Sequence, residues 1–189
     1  MAQPDERPPE EIGLDLAGSS ASLRRWRAGQ AESVYRVVMA SMEHLRPWMV
    51  WVAGYDRAAA GRFLAQCEHD WEEGAAFNYA ITTGGAVVGS CGLMRRIGPG
   101  GLEVGYWLHP AHTGRGLATA AAGALVEAAL GLQDIERVEL VHDQVNEASG
   151  AIARRLGFTE IERRPVTGEA RILGEVEVVW RLGRPAAAP

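Results

Sequence analysis

Hydrophobic and polar residues alternate along residues 102–108, Leu-Glu-Val-Gly-Tyr-Trp-Leu, and this period of two predicts a β-strand. A glycine turn, Gly114-Arg115-Gly116, and an alanine-rich segment typical of a helix follow the strand. Glycines lack a β-carbon, so consecutive backbone N–H groups can converge on an anion at the helix N-terminus, where the helix dipole also favours negative charge. The pattern therefore predicts a site for a phosphate-bearing, nucleotide-like ligand.

The first half of the chain is predicted to contain a short strand, three helices and a β-hairpin. The strand covers residues 22–26, the first helix 31–42 and a second, short helix 44–51. The third helix begins at the N-cap Asp56 and ends at Gly74, and the hairpin pairs residues 77–82 with 87–96 through Gly84-Gly85.

The second half is predicted to continue with a strand over 137–141 and a helix over 146–156 that Gly157 caps, followed by strands over 158–164 and 175–182. Hairpin-connected strands followed by alternating strands and helices predict a mixed α/β (α+β) fold. It contains a parallel crossover from the 102–108 strand to the 137–141 strand, and the ligand should lie there.

Both ends of the chain have little to bury. Residues 1–15 are rich in proline and glutamate, and 184–189 offer no large apolar group, so we expect both segments to be disordered. Between them, residues 16–183 are predicted to form a single domain.

Composition narrows the class of protein. The net charge of −5 argues against nucleic-acid binding, which needs a basic stripe. No apolar run reaches the roughly 18 residues of a membrane span, and the N-terminus does not resemble a secretory signal. Cys67 and Cys91 lack metal-ligand spacing and are predicted to be buried free thiols. We therefore expect a soluble cytoplasmic protein with no membrane or nucleic-acid partner.

Two motifs carry a family resemblance. The glycine turn is neither an ATP-binding loop nor long enough for a dinucleotide fingerprint. A second motif begins Asn146-Glu147-Ala148-Ser149 and ends in Gly-Phe at 157–158. In order and spacing the two motifs resemble those of the GNAT N-acetyltransferases, which use acetyl-coenzyme A (acetyl-CoA). Residues 23–26, 44–48 and 103–108 resemble the RimJ/RimL branch, which acts on the N-termini of ribosomal proteins, and the likeness covers residues 20–182.

The resemblance implies the GNAT fold: a mixed, mostly antiparallel sheet of six to seven strands with a splayed parallel pair, flanked by helices. It also implies that acetyl-CoA lies along the 102–108 strand with its pyrophosphate on the glycine turn. Thr113 departs from the family, which has a long polar residue there, so the backbone donors of the turn are expected to hold the phosphates without that side-chain contact or with one supplied elsewhere. The implied cofactor-binding residues are Val104, Tyr106, Leu108, Thr113, Gly114, Arg115, Gly116, Leu117, Ala118, Thr119, Asn146, Ser149 and Arg155.

Acetyl transfer to an amine needs a proton acceptor for the amine and a proton for the departing thiolate. Glu103 is the candidate base, because it alternates away from the core-facing residues of its strand. By resemblance Ser149 is the candidate acid, and Asn146 shares its helix face or caps the helix. An α-amine is roughly a tenth neutral at pH 7, and a lysine about 0.04%, which favours an N-terminal acceptor.

Other residues remain open between a role at the site and ordinary packing. Trp48, Trp51 and Tyr55 are candidate walls of an acceptor pocket, which together with the acidic net charge would suit a cationic or peptidic amine. His109 and His112 flank Pro110 without a third ligand, so no metal is expected. His142 and Arg154 are the remaining candidates. A polar strand end is the favoured interpretation of His142, whereas charge complementarity at the helix C-terminus explains Arg154 about as well as a phosphate contact does.

The sequence thus predicts an N-acetyltransferase that uses acetyl-CoA and a primary amine, preferentially a protein N-terminal α-amine, by direct attack in a ternary complex. Within the enzyme class the alternatives are a small-molecule amine acceptor, such as an antibiotic or polyamine, and a longer acyl chain. From another class, the alternative is a non-catalytic acyl-CoA sensor or interaction module. The oligomeric state is open, with a homodimer among the alternatives.

Overall fold

The computed structural model describes residues 6–16, 20–166 and 173–184, which form eight strands and four α-helices. The strands are β1 (Glu11–Leu14), β2 (Ala21–Arg25), β3 (Ala76–Thr83), β4 (Ala86–Met94), β5 (Gly101–Leu108), β6 (Arg137–Asp143), β7 (Thr159–Pro165) and β8 (Val176–Gly183). The helices are α1 (Ala31–Leu45), α2 (Arg57–Glu73), α3 (Leu117–Gly131) and α4 (Glu147–Arg155). Among the described residues no helix has the length and apolar character needed to cross a bilayer.

The strands form one sheet in the order β1-β2-β3-β4-β5-β6-β8-β7. Neighbouring strands are antiparallel apart from β5 and β6, which are parallel and joined by the α3 crossover. The predicted mixed α/β fold and its parallel crossover are therefore confirmed. The described residues hold eight strands, where the resemblance implies six to seven.

The additional strand, β1, lies in the N-terminal segment that is predicted to be disordered. That prediction is wrong for residues 11–14, because β1 pairs with β2 and buries Leu14 to 8% exposure. At the other end, Arg184 donates hydrogen bonds to the Leu132 and Ile135 carbonyls. Residues 6–10 are also held in place, since the Tyr79 hydroxyl donates to the Pro9 carbonyl (2.8 Å) and Glu10 pairs with Arg25 and Arg27. Residues 1–5 and 185–189 lie outside the described residues.

The predicted short helix over 44–51 is wrong. His44 and Leu45 complete α1, and residues 50–52 form a single 3₁₀ turn. Pro47 explains the break, since it has no N–H to extend the helical hydrogen bonds. The predicted ends of α2 are confirmed: Asp56 accepts a hydrogen bond from the Ala59 amide (2.7 Å), and Gly74 adopts a left-handed conformation with φ 68°.

Helices cover the sheet on both faces. One face of β5 packs with α3 and α4 in a cluster that includes Leu102, Val104 and Leu108. On the opposite face, α1 and α2 pack over Ala80, and Trp107 of β5 borders that second cluster. Successive residues of a strand point to opposite faces. Tyr106 therefore packs against one cluster and its neighbour Trp107 against the other, at the same place along β5.

The parallel pair separates towards its end. Register between β5 and β6 runs from Gly101–Arg137 to Val104–Leu140 and then stops. Residues 105–108 continue to pair with β4, whereas 141–143 continue to pair with β8. The strands therefore open beside the start of α3 and α4, as the resemblance implies.

Candidate active site

The turn before α3 exposes backbone donors. Gly114 and Gly116 have φ of 73° and 78°, a left-handed conformation that side-chain-bearing residues rarely adopt. Gly116 is the N-cap of α3 and provides no side-chain cap, so the first amides of the helix keep free N–H groups. The Thr113 hydroxyl donates to the Pro110 carbonyl (2.8 Å) and stabilises the turn. The turn thus presents the backbone donors that the sequence predicts.

A cavity of about 970 Å³ opens over this turn, and we refer to it as the turn cavity. It extends from the N-terminus of α3 across the open end of β5 to α4. Its lining residues are His44, Leu45, Trp48, Met49, Tyr106, Trp107, Leu108, Thr113, Gly114, Gly116, Leu117, Ala118, Thr119, Ala120, Asn146, Ala148, Ser149, Ala151, Ile152 and Arg155.

Most of the residues predicted to bind a cofactor meet in the turn cavity. Two of them do not line it: Val104 is buried in the core, and Arg115 is exposed beside the turn. Asn146 is the N-cap of α4, since its side chain accepts a hydrogen bond from the Ser149 amide (3.2 Å). Capping and the lining of a ligand site are therefore compatible in Asn146.

Tyr106 projects a buried hydroxyl into the region between β5 and α4. That hydroxyl has no hydrogen bond of good geometry among the described residues. Burial raises the pKa of Tyr106, and a contact with the Ser149 side chain lowers this pKa by a smaller amount. Ser149 is thus at most a weak partner of this hydroxyl, and a ligand that accepts a well-aligned hydrogen bond from it would be stabilised.

A second cavity, of about 500 Å³, lies on the opposite face of the sheet under α1 and α2, and we refer to it as the aromatic cavity. Along one wall Trp51 contacts Tyr55 and Trp107, with ring centroids 5.6 and 6.1 Å apart. Its lining residues are Val34, Val38, Met49, Trp51, Tyr55, Ala59, Arg62, Phe63, Asn78, Ser90, Cys91, Gly92, Met94, Arg96, Gly105, Tyr106 and Trp107.

Two facing glycines provide the floor of the aromatic cavity. Gly92 and Gly105 are cross-strand partners in β4 and β5. A β-carbon on Gly92 would come within 2.4 Å of the Asn78 side-chain oxygen, and one on Gly105 within 3.2 Å of Met94. Larger residues at these positions would displace the side chains that shape the cavity, so its volume depends on both glycines.

The two cavities share three lining residues, Met49, Tyr106 and Trp107. A ligand in the turn cavity and a ligand in the aromatic cavity would therefore meet at this junction. Trp51 and Tyr55, predicted to bind an acceptor, lie in the aromatic cavity, whereas Trp48 lies in the turn cavity instead. No spacing along the sequence predicts this division of the three aromatic residues.

Glu103 points to the same face as the aromatic cavity, as its alternation predicts, but it is 8% exposed. It lies in an adjoining charged groove and not in the lining of either cavity. Arg96 lines both the groove and the aromatic cavity and binds the two carboxylate oxygens of Glu103. Across the parallel pair, Glu103 faces Glu139, which Arg181 binds through two guanidinium nitrogens.

The remaining candidates take structural roles. The indole N–H of Trp180 donates a hydrogen bond to Nε2 of His142 (2.9 Å). Nδ1 of His142 lies 2.7 Å from the Asp143 carbonyl, so both ring nitrogens of His142 are engaged. Arg154 lies over the Trp180 ring, outside the turn cavity. Burial raises the pKa of the Cys91 thiol, which makes it a poor nucleophile.

Cys67 and His109 are two further residues that the sequence singles out. Cys67 is buried and unpaired, as is Cys91, and burial raises the pKa of Cys67 to about 12. His109 caps the turn before α3 by accepting a hydrogen bond from the Ala111 amide (3.1 Å). Within the described part of the chain no group of three or more potential ligands is placed to hold a metal ion.

The two cavities meet beside an opened strand pair, an arrangement that has room for two ligands side by side. The model of the protein family described as Acetyltransferase (GNAT) domain matches residues 21–159. The chain therefore belongs to the GNAT acetyltransferase family and is an acyltransferase. No curated protein sequence matches the chain.

Solved structures confirm the GNAT fold. RimL, the ribosomal L7/L12 alpha-N-protein acetyltransferase in complex with coenzyme A, has 18% identity and a TM-score of 0.82 over 91% of this chain and 98% of that one. Mycobacterium smegmatis RimJ in complex with CoA-disulfide has 20% identity and a TM-score of 0.83 over 97% and 90%. The microcin C7 self-immunity acetyltransferase MccE, in complex with acetyl-CoA and AMP, has 19% identity and a TM-score of 0.82 over 94% and 98%.

Proposed function

We propose that this chain transfers the acetyl group of acetyl-CoA to a primary amine, preferentially the α-amine of a protein N-terminus. The observation that carries the proposal is the junction at Met49, Tyr106 and Trp107, where a cavity over a glycine turn meets a separate aromatic cavity. Such a junction allows a donor and an acceptor to bind at the same time and to react directly, in a ternary complex.

The turn cavity fits acetyl-CoA. The left-handed glycines Gly114 and Gly116 and the uncapped start of α3 suit a pyrophosphate, which backbone N–H groups and the helix dipole both stabilise. The backbone of residues 105–108 lies beside the opening between β5 and β6, where the pantetheine arm can run. Acetyl-CoA supplies an activated acetyl group, and the residues of this chain position it and manage protons.

Proton handling is assigned to residues on the two sides of the junction. Ser149 and the Tyr106 hydroxyl lie on the side of the turn cavity and serve as hydrogen-bond donors to the departing thiolate. Glu103 accepts the proton of the amine, and because it lies in the adjoining groove, a water relay past Arg96 connects the two.

An N-terminal acceptor is supported on two grounds. RimL, which has the same fold, is an alpha-N-protein acetyltransferase of ribosomal L7/L12. In addition, Glu103 lies outside both cavities with its two oxygens bound to Arg96, so it reaches the amine only indirectly. Such a base suits an α-amine better than a lysine, because an α-amine is already partly neutral at pH 7 and needs less help to lose its proton. A ribosomal or other cytoplasmic protein is the corresponding partner, and the cytoplasm the corresponding location.

The proposal is tested by binding and by thiol release. Purified protein should bind acetyl-CoA in calorimetry and should release free thiol with peptides that have an open N-terminus. Peptides acetylated at the N-terminus but carrying a lysine serve as the matched control, and spermidine and butyryl-CoA test the small-molecule and longer-chain alternatives. Binding of acetyl-CoA with no thiol release from any amine would identify a sensor and contradict the proposed reaction.

The two donors at the junction give a separate prediction. We expect Ser149→Ala and Tyr106→Phe each to lower kcat about tenfold with little change in the KM for acetyl-CoA, because a hydrogen bond to a developing charge contributes roughly 1.5–3 kcal/mol. Tyr79→Phe is the matched control, since the Tyr79 hydroxyl is bound to the Pro9 carbonyl away from both cavities. Equal kcat values for Tyr106→Phe and the unmodified enzyme would remove Tyr106 from the mechanism.

A further inference from the structure

The charged residues that line the aromatic cavity are basic, although the net charge of the chain is −5. Arg62 of α2 and Arg96 line it, and no Asp or Glu of the described residues does so. Arg62 is exposed on α2 and, within residues 6–16, 20–166 and 173–184, makes neither an ion pair nor a side-chain hydrogen bond. Arg96 binds Glu103 but keeps 60% of its side chain exposed. Arg62 is thus available to a ligand, together with the part of Arg96 that Glu103 leaves free.

This charge distribution opposes one expectation from the sequence. The acidic net charge suggests a cationic acceptor, such as a polyamine, in a pocket with aromatic walls. A polyamine would bring further positive charges next to Arg62 and Arg96 without a carboxylate in the described lining to balance them. The net charge of a chain does not report the local charge of a cavity, so the structure does not support a cationic acceptor.

We infer that the acceptor carries a carboxylate close to its reactive amine. The amine would lie at the junction near Trp107, while the carboxylate pairs with Arg62 and the exposed part of Arg96. The free side-chain amide of Asn78 on the cavity floor offers a further polar contact. This inference rests on the proposed acetyl transfer and specifies its acceptor class.

The carboxylate has two sources, and one kinetic experiment distinguishes them. Peptides that begin Ser-Asp, Ser-Asn or Ser-Lys and are otherwise identical test a side-chain carboxylate, while serine against serinamide tests an α-carboxylate. We expect kcat/KM to be about fivefold higher for the Ser-Asp than for the Ser-Asn peptide, and lowest for Ser-Lys, because a partly exposed ion pair contributes modestly. A preference for serine over serinamide would support the small-molecule source of the same chemistry.

Arg62 provides the decisive variant, because replacement of Arg96 would also release Glu103. Arg62→Gln should abolish the preference for the Ser-Asp peptide, and Arg62→Glu should reverse it in favour of Ser-Lys. Arg57→Gln is the matched control: Arg57 is on the same helix but pairs with Glu32 and does not line the cavity. Acetyl-CoA affinity, measured by calorimetry, should stay unchanged in all three variants and confirms that they fold.

Each outcome bears on the inference separately from the proposed function. Equal kcat/KM for the three peptides together with no preference for serine over serinamide would overturn the inference and leave acetyl transfer intact. A preference that persists in Arg62→Glu would also overturn it. Absence of thiol release with every amine would overturn both.

Discussion

Glu103→Gln should lower kcat/KM about 100-fold at pH 7, the usual scale for loss of a general base. Glutamine keeps the size of the side chain and an oxygen for Arg96 but cannot accept a proton from the amine. The loss should shrink to about tenfold near pH 9, where an α-amine of pKa near 8 is mostly neutral without assistance. Steady-state thiol release with an N-terminal peptide, measured between about pH 6.5 and 9, checks both statements.

The control for Glu103→Gln is Glu139→Gln. Glu139 is the cross-strand partner of Glu103, has a similar exposure of 6%, and is likewise bound to an arginine, but it lies one strand further from the aromatic cavity. It shares the structural cost of losing a buried carboxylate without access to the amine. Similar pH–rate profiles for the two variants would show that Glu103 is a structural residue.

Gly116→Val should weaken acetyl-CoA binding by about 100-fold. A β-branched residue resists the φ of 78°, which costs roughly 1–3 kcal/mol, and relaxation of the turn would move the donor amides out of alignment. The added β-carbon itself would meet only Leu16 of the described protein, at 3.8 Å, so crowding within the protein does not explain a loss. Calorimetric titration with acetyl-CoA measures the effect.

Gly85→Val separates backbone strain from the loss of the phosphate site. Gly85 has φ of 80°, nearly that of Gly116, and lies in the β3–β4 turn, where a β-carbon would have no atom of the described residues within 4 Å. Both variants should lose thermal stability to a similar extent, whereas acetyl-CoA affinity should fall in Gly116→Val alone. An equal fall in the two affinities would point to general destabilisation.

Local signals in the sequence predict most elements of the fold. Asp56 and Gly74 mark the ends of α2, and Gly84-Gly85 marks the hairpin, because capping and turn chemistry depend on neighbouring residues. Strand β1 escapes prediction because its stability comes from pairing with β2, a contact that four residues cannot reveal on their own. The predicted first helix is too short, since His44 and Leu45 belong to α1 and not to a separate helix.

Some residues of the candidate site can likewise be predicted from local sequence, whereas others depend on contacts between distant elements. The glycine turn, Asn146 and Ser149 are recognisable in the sequence, and the structure brings them together in the turn cavity. The unpartnered hydroxyl of Tyr106 and the positive charge from Arg62 and Arg96 follow from tertiary contacts between distant elements. An isolated glycine in a strand often marks a close approach, so Gly105 is a local sign of the aromatic cavity.

The facing glycines of β4 and β5 also bear on how the enzyme can diversify. Because Gly92 and Gly105 set the depth of the aromatic cavity from the backbone side, a single methyl group at either position would make it shallower without contact with the phosphate turn. Under the proposed function, in which the aromatic cavity holds the acceptor, acceptor range can therefore drift through point mutations while donor recognition is preserved. Such separability gives a scaffold with one fixed donor an easy evolutionary route to new acceptors.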